Sequence, residues 1–319
     1  MEHGLIAAIL AATIVAGTPL IFAALGELVT ERSGVLNLGV EGMMAVGAVA
    51  GFVATFQTGS AVVGMLAGMA AGALVSAIFA VLVLTLLANQ VAAGLALSIF
   101  GTGLAAFVGK PWEAASLTTS SASGIGASSD FPVIRTLSDL PIIGPVLFEQ
   151  QWPVYVSWLL LAGVAWFLFR SRAGLVLRAV GESPESAHAI GHPVLAVRYA
   201  ATLFGGAMSG MGGAFLSVFY TPMWAEGMVS GRGWIALALV VFATWRPLRV
   251  AGGAYLFGGA MVAQLFLQGS GAGIAIPTQF LTALPYVATI VVLVLISRNP
   301  NTIRLNAPAS LGQRYRPDA

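Results

Sequence analysis

The stretch RSRAGLVLRAVGESPESAHAIGHPVLAVR, residues 170–198, decides the fold because it is a polar segment between two long apolar runs. It contains four arginines, two glutamates, two histidines and two prolines, in a chain of which only 8% of the residues are charged. Such a segment is expected to lie in water on the cytoplasmic side of a membrane. The simplest interpretation is one large, helix-capable loop on which a separate protein acts.

Nine apolar runs account for most of the rest of the chain. They cover about 5–25, 35–57, 61–87, 91–108, 153–169, 198–220, 232–244, 250–268 and 280–297. A helix of about 20 apolar residues crosses the hydrocarbon core of a membrane, whereas barrel strands are shorter and alternate in polarity. We therefore predict an all-α fold, a polytopic transmembrane helical bundle of about 8–10 spans. The run at 232–244 is short enough to be a partial span.

The arginines predict the orientation of this bundle. With nine spans and the N-terminus outside, eleven of the fourteen basic residues fall on the cytoplasmic side. Only Lys110, Arg135 and Arg232 fall on the other side. This asymmetry follows the positive-inside rule. The N-terminus lacks the Lys or Arg of a cleavable signal and is predicted to be the first span.

The polar segments define the domain organisation. We predict a single transmembrane domain over 1–319, with an external loop at 110–152 and a cytoplasmic loop at 170–198. A cytoplasmic tail follows at 298–319. The external loop is rich in Ser, Thr, Gly and Pro, and it fits either a docking surface for an external partner or a passive surface loop. The glycines within the spans are expected to serve close helix packing.

The cytoplasmic loop is predicted to contain a short helix of about two turns. Ser183 followed by Pro184 is a good helix start, and Gly191 and Pro193 end the helix. A solvated connection without further function remains the alternative. Glu185, His188 and His192 have spacings that a metal site permits. Because the helix should end before the second histidine, no metal site is predicted.

A few polar residues interrupt the apolar runs. Asn37 and Glu41 are expected to lie one helical turn apart on the same face, and Asn89 and Gln90 stand between two spans. A carboxyl group within a span usually faces a cavity or a partner. Lining a pathway for a polar neutral solute and hydrogen bonding between helices both remain open for these residues.

Several function classes are excluded by what the sequence lacks. Its only lysine, Lys110, is followed by proline, so there is no GxxxxGK[ST] phosphate-binding loop and the chain is not itself an ATPase. No cofactor motif is present, and no basic patch with interleaved aromatics indicates nucleic acid. The chain has no cysteine, which excludes disulfides and thiolate metal sites. Glu41 is expected to be nearly alone as an ionisable group in the membrane, which argues against a proton-coupled carrier.

Four motifs resemble those of a known family. They are ERSGVLNLGVEGMMAVGA at 31–48, ANQVAAGLAL at 88–97, RAVGESPESAHAIGHPVLAVRY at 178–199 and AEGMVSGRGWIALALVVFATWRP at 225–247. Together they are similar to the permease subunits of bacterial ABC importers in the branched-chain amino acid and simple-sugar permease superfamily. The nucleoside and simple-sugar group shows the greatest likeness. Ser183, where asparagine is usual, and His192 depart from the pattern.

This resemblance implies a type II-like ABC importer permease in the bacterial inner membrane. It implies three protein partners: an ATP-binding subunit, a second, paralogous permease subunit and an external solute-binding lipoprotein. The residues matching the coupling loop would contact the ATP-binding subunit; they are Arg178, Gly181, Glu182, Ala187 and Gly191. Asn37, Glu41, Asn89 and Gln90 match motif positions near the translocation pathway. A secondary transporter and an intramembrane enzyme remain the alternatives, and the solute would be a nucleoside or a simple sugar.

Overall fold

A computed structural model describes residues 2–113, 115–117, 143–269 and 306–316, together with Val287, Ile290 and Val294 individually. The predicted span at 280–297 lies, apart from those three residues, outside the described part of the chain. Most of the predicted external loop does so too.

The described residues form ten α-helices. Their bounds are α1 Glu2–Arg32, α2 Val40–Thr58, α3 Ala61–Ala80, α4 Gln90–Gly109, α5 Trp152–Arg170, α6 Arg172–Glu182, α7 Pro184–Ala189, α8 Val194–Phe215, α9 Arg232–Phe242 and α10 Pro247–Gly269. Short π-helical segments extend α3 over Val81–Thr85 and α8 over Leu216–Tyr220, and a third lies at Gly144–Phe148. A 3₁₀ turn at Lys110–Trp112 extends α4.

Seven of these helices are long and apolar enough to cross a membrane: α1 to α5, α8 and α10. The predicted all-α, multi-pass fold is therefore confirmed within the described residues. α9 has only 11 residues, as expected for a partial span. Two predicted boundaries were wrong. α1 continues to Arg32, well past the apolar run that predicted it, and α2 begins at Val40 rather than near residue 35.

α8 is the central helix of the bundle. In its most apolar window 83% of the residues are buried, against 28% in α4, α5 and α10. It packs against α1, α2 and α3. An added methyl group at Gly210 would overlap the carbonyl oxygen of Gly68 on α3, and one at Gly213 would overlap that of Met44 on α2. The expected packing role of intramembrane glycines is therefore confirmed for α8, whereas Gly252 on α10 has nothing within 4 Å of an added methyl.

The predicted cytoplasmic loop folds into two helices rather than one. Ser171 caps α6 by accepting a hydrogen bond from the Gly174 N–H at 2.9 Å. Ser183 caps α7, as predicted, by accepting from the Ser186 N–H at 3.3 Å. Gly191 has φ +88° and ends α7, because this backbone conformation is strained for other residues. α6 was missed because its charged and apolar residues alternate around a short amphipathic helix that hydropathy does not detect.

Candidate coupling surface and translocation pathway

The segment that joins α1 to α2, residues 33–39, turns back into the bundle. The N–H of Asn37 donates to Glu27 Oε1 at 3.1 Å, more than one helical turn before the end of α1. The Asn37 Oδ1 accepts a hydrogen bond at 2.9 Å from the N–H two residues later. Asn37 therefore stabilises a turn of its own backbone. The expectation that Asn37 and Glu41 share one helical face was wrong, because α2 begins only at Val40.

Glu41 caps the start of α9. Its Oε1 accepts from the Gly231 N–H at 2.8 Å, and its Oε2 accepts from the Gly233 N–H at 2.7 Å. The first N–H groups of a helix have no partner within the helix, and the helix dipole favours a carboxylate there. Glu41 is 8% exposed. A carboxyl group within a span is thus used to hold a short helix against α2.

Asn89 and Gln90 lie at the start of α4. Asn89 is exposed, and its Oδ1 accepts from the Ala92 N–H at 3.0 Å as a helix cap. Gln90 is buried, and its Oε1 accepts from the Leu36 N–H at 2.8 Å. Gln90 thereby fixes the 33–39 segment to α4.

The turn that follows α9 contacts the end of α1. Trp245 Nε1 donates to Glu31 Oε2 at 2.5 Å, and the Arg32 guanidinium donates to the Trp245 carbonyl oxygen at 3.0 Å. Glu31 and Glu27 are both buried. The expectation that Glu41 is nearly alone among ionisable groups in the membrane was wrong, because α1 extends through both glutamates. The number of ionisable groups within the candidate spans is therefore not an argument against a proton-coupled carrier.

Helix α6 packs directly on the end of α1, and α7 packs on α6 and on α8. Gly181 is buried, and an added methyl group there would overlap the Arg32 carbonyl oxygen. Ala187 is 2% exposed and belongs to the same small apolar core as Val180 and Val194. The two helices are therefore joined to the bundle through backbone and small side chains, without a flexible linker.

The other three predicted coupling residues lie nearer the surface. Glu182 and Gly191 are exposed, and Arg178 is half-buried with its guanidinium carbon 5.4 Å from the centroid of the Phe169 ring. Beside them, Ile190 is 71% exposed at the tip of α7. The predicted coupling residues thus divide into a buried pair that faces the bundle and three residues nearer the surface. In the part of the chain that the structure describes, no group of three or more His, Cys, Asp or Glu side chains is arranged to hold a metal.

Sequence reasoning missed the residues that tie these parts together. Arg198 is 1% exposed, although its position at the end of a polar loop suggested a solvated cation. Its Nε donates to the Ser33 carbonyl oxygen at 3.1 Å. Glu31 lies in the motif at 31–48 and Trp245 in the motif at 225–247. That both belong to motifs of one family is the one sequence signal that could have indicated their contact. No comparable signal marks Glu27.

All four motif segments therefore meet at residues 31–41. Glu31 contacts the segment at 225–247, Leu36 contacts that at 88–97, and Ser33 contacts that at 178–199. The chain belongs to the family described as "Branched-chain amino acid transport system / permease component", whose model matches residues 9–296.

Individual relatives agree with this class. A protein of Haloferax volcanii, provisionally named as a glucose ABC transporter permease (TsgC13), is 42% identical over 97% of this chain and 97% of its own length. The nucleoside ABC transporter permease NupC of Lactococcus lactis is 32% identical over 90% of this chain and 91% of its own. The guanosine ABC transporter permease NupQ of Bacillus subtilis is 33% identical over 89% of this chain and 90% of its own length.

These comparisons confirm the resemblance inferred from the motifs. The chain is a multi-pass membrane permease subunit of the ABC transporter class, and nothing found supports the secondary-transporter alternative. Membership of this class implies an ATP-binding subunit and a substrate-binding protein as partners.

Proposed function

We propose that this chain is the membrane-spanning subunit of an ABC importer that carries a nucleoside or a simple sugar across the bacterial inner membrane. The names of the relatives support this solute class, since glucose, nucleosides and guanosine are neutral polar molecules that carry sugar hydroxyl groups. The single observation that carries the proposal is the packing of α6 where α1 meets the 33–39 segment: an added methyl group at Gly181 would overlap the Arg32 carbonyl oxygen and lie 3.3 Å from the Gly34 nitrogen. That contact joins a cytoplasmic surface to the residues at the start of α2, α4 and α9.

In this proposal ATP is hydrolysed by a partner subunit that binds the exposed face of α6 and α7. Glu182, Ile190 and Gly191 present that face, and Arg178 lies at its edge. Gly181 and Ala187 hold the helices to the bundle and pass on their movement. A rigid element of this kind can bias a two-state bundle between outward-open and inward-open forms.

We place the translocation pathway beside Asn37, Glu41, Asn89 and Gln90. Asn89 is exposed, and the other three shape the wall through their hydrogen bonds to backbone groups. An apolar groove of about 800 Å³ also lies between α1, α5, α6 and α8. Its walls carry side chains such as those of Leu160, which leave sugar hydroxyl groups without partners, so we do not place the solute there.

Two further partners complete the proposed assembly. A second, paralogous permease would form a heterodimer with this chain, and an external lipoprotein would deliver the solute. The motif resemblance supports both. Solute selection would rest largely on the lipoprotein.

The proposal is tested by reconstitution in proteoliposomes. The purified chain alone should accumulate no radiolabelled guanosine or glucose, with or without an imposed proton or sodium gradient. The complex with its ATP-binding subunit, second permease and binding protein should accumulate one of them when ATP is supplied. Accumulation by the chain alone would contradict the proposal and favour an ion-coupled carrier.

The coupling role of α6 is tested with the double variant Gly181→Leu and Glu182→Lys. The larger side chain would overlap the Arg32 carbonyl oxygen, and the reversed charge would alter the exposed face. We expect solute uptake per ATP hydrolysed to fall about 5- to 150-fold, the range of a typical coupling free energy between two sites. Uptake and phosphate release are measured on the same reconstituted complex.

The matched control for that double variant is Gly103→Leu with Glu149→Lys. An added methyl group at Gly103 meets nothing within 4 Å, and Glu149 is exposed and remote from the coupling helices in the sequence. The control should retain the wild-type ratio. A wild-type ratio in the Gly181 and Glu182 variant as well would remove α6 from the coupling route.

A further inference from the structure

The C-terminal residues 306–316, here called the strap, lie across the end of the bundle that carries α6 and α7. The N–H and Oγ of Ser310 both donate to the Gly181 carbonyl oxygen, at 3.0 Å and 2.7 Å. Tyr315 is 5% exposed and belongs to the same apolar core as Ala187 of α7. The strap is therefore fixed to both coupling helices.

The same strap also contacts the residues beside the proposed pathway. The Gly312 N–H donates to the Gly34 carbonyl oxygen at 3.1 Å. The Gln313 carbonyl oxygen accepts from Gln90 Nε2 at 3.4 Å. The Gln90 Oε1 in turn accepts a hydrogen bond from the Leu36 N–H. The strap thus touches the 33–39 segment directly and reaches α4 through one side chain.

Arg198 of α8 joins the two sets of contacts. Its three guanidinium nitrogens donate to the Ser33 carbonyl oxygen at 3.1 Å, to Ser310 Oγ at 3.0 Å and to the Gln313 carbonyl oxygen at 3.4 Å. The Tyr315 ring centroid lies 5.8 Å from its guanidinium carbon. All three acceptors are neutral oxygens, and the side chain is 1% exposed.

This arrangement makes separation of the parts unfavourable. A buried guanidinium that loses its acceptors keeps the full cost of its desolvation. If the strap moved away from Ser33, Arg198 would lose either two acceptors on the strap or the one on the 33–39 segment. The low-energy movement is therefore one in which the strap, Arg198 and the 33–39 segment move together.

We propose that Arg198 and Ser310 are positioning residues of the transport cycle, which make the strap a rigid link from the coupling helices to the pathway segment. This inference rests on the proposed function, because it assigns the strap to the same coupling route. The strap carries movement of Gly181 to Gly34 and Gln90 in parallel with the direct contact between α6 and α1. In this role Arg198 and Ser310 act through the segments that they hold in place, not by binding nucleotide or solute.

The test uses the complete reconstituted complex and measures solute transported per ATP hydrolysed. Ser310→Ala removes the side-chain bonds to Gly181 and Arg198 but keeps the backbone bond. Arg198→Lys keeps the charge but loses the three-way fork, which a lysine cannot reproduce. We expect the transport ratio to fall about tenfold for the lysine variant, as for loss of a charge-assisted hydrogen bond, and less for the alanine variant. The KM for solute should stay unchanged, and the transport ratio is measured on equal amounts of assembled complex.

Arg314→Lys is the matched control, since this arginine lies on the same strap but is exposed. It should transport with the wild-type ratio. If the wild-type complex couples uptake to ATP hydrolysis and the Ser310→Ala complex shows the same ratio, the role of the strap is overturned while the proposed function stands. Loss of transport in strict proportion to loss of assembled complex would also overturn that role, because the residues would then only support folding. A wild-type complex without ATP-driven uptake would overturn the proposed function and this inference together.

Discussion

The variant Gly210→Ala is expected to yield little stable protein. Gly210 lies on the central helix α8, where an added methyl group would overlap the carbonyl oxygen of Gly68 on α3. The obstacle is backbone, so a side-chain rotation cannot relieve it, and α8 and α3 must separate. Because overpacking a close contact costs about 1–3 kcal/mol and occasionally more, we expect a loss of about 3 kcal/mol in the free energy of unfolding.

The loss would be seen as a lower thermal midpoint in detergent, followed by the fluorescence of the seven tryptophans. Gly252→Ala is the control, since it makes the same change on α10, where nothing lies within 4 Å. The control should match the wild type or exceed it slightly, because alanine favours helix over glycine. Equal midpoints for the two variants would show that α8 and α3 are not packed as closely as described.

The second large effect is expected for Glu41→Ala. This change leaves the N–H groups of Gly231 and Gly233 without acceptors inside a membrane bundle, where water is scarce. Each unsatisfied buried group costs about 1–3 kcal/mol, so the start of α9 should be destabilised by about 2–6 kcal/mol. Glu41→Gln keeps one carbonyl acceptor and should lose about half as much.

Detachment of α9 is measured by protease cleavage in the segment that leads into it, together with ATP-driven uptake. Cleavage should be fastest and uptake slowest in Glu41→Ala, and Glu41→Gln should lie between that variant and the wild type. Glu226→Ala is the control, because it removes an exposed carboxylate from that same segment. Wild-type protection in Glu41→Ala would falsify the capping role of this carboxylate.

The helical class of the fold could be predicted because each long span carries its own hydropathy signal. The runs at 61–87 and 153–169 correspond closely to α3 with its π-helical extension and to α5. The capped helix α7 could be predicted from Ser183 and Gly191, because capping is a local property of the backbone. The orientation and the loop boundaries stay predictions.

The contacts at the candidate site could not be predicted, because they join residues far apart in the chain. Glu41 and Gly231 are separated by 190 positions, and Arg198 and Ser310 by 112. Glu31 and Arg198 are charged residues that hydropathy assigns to water, yet both are buried by tertiary hydrogen bonds. The break before α2 was predicted too early in the chain for a related reason, since the apolar residues of the 33–39 segment look helical until Asn37 closes its turn.

The shortness of α9 has a consequence for how the chain is made. Its 11 residues form a rod about 16 Å long, roughly half the thickness of the hydrocarbon core. Such a rod cannot leave the insertion machinery as an independent span, and its leading amides need a carboxylate that was synthesised about 190 residues earlier. We therefore expect α9 to reach its final position only after the helix that carries Glu41 has entered the bilayer.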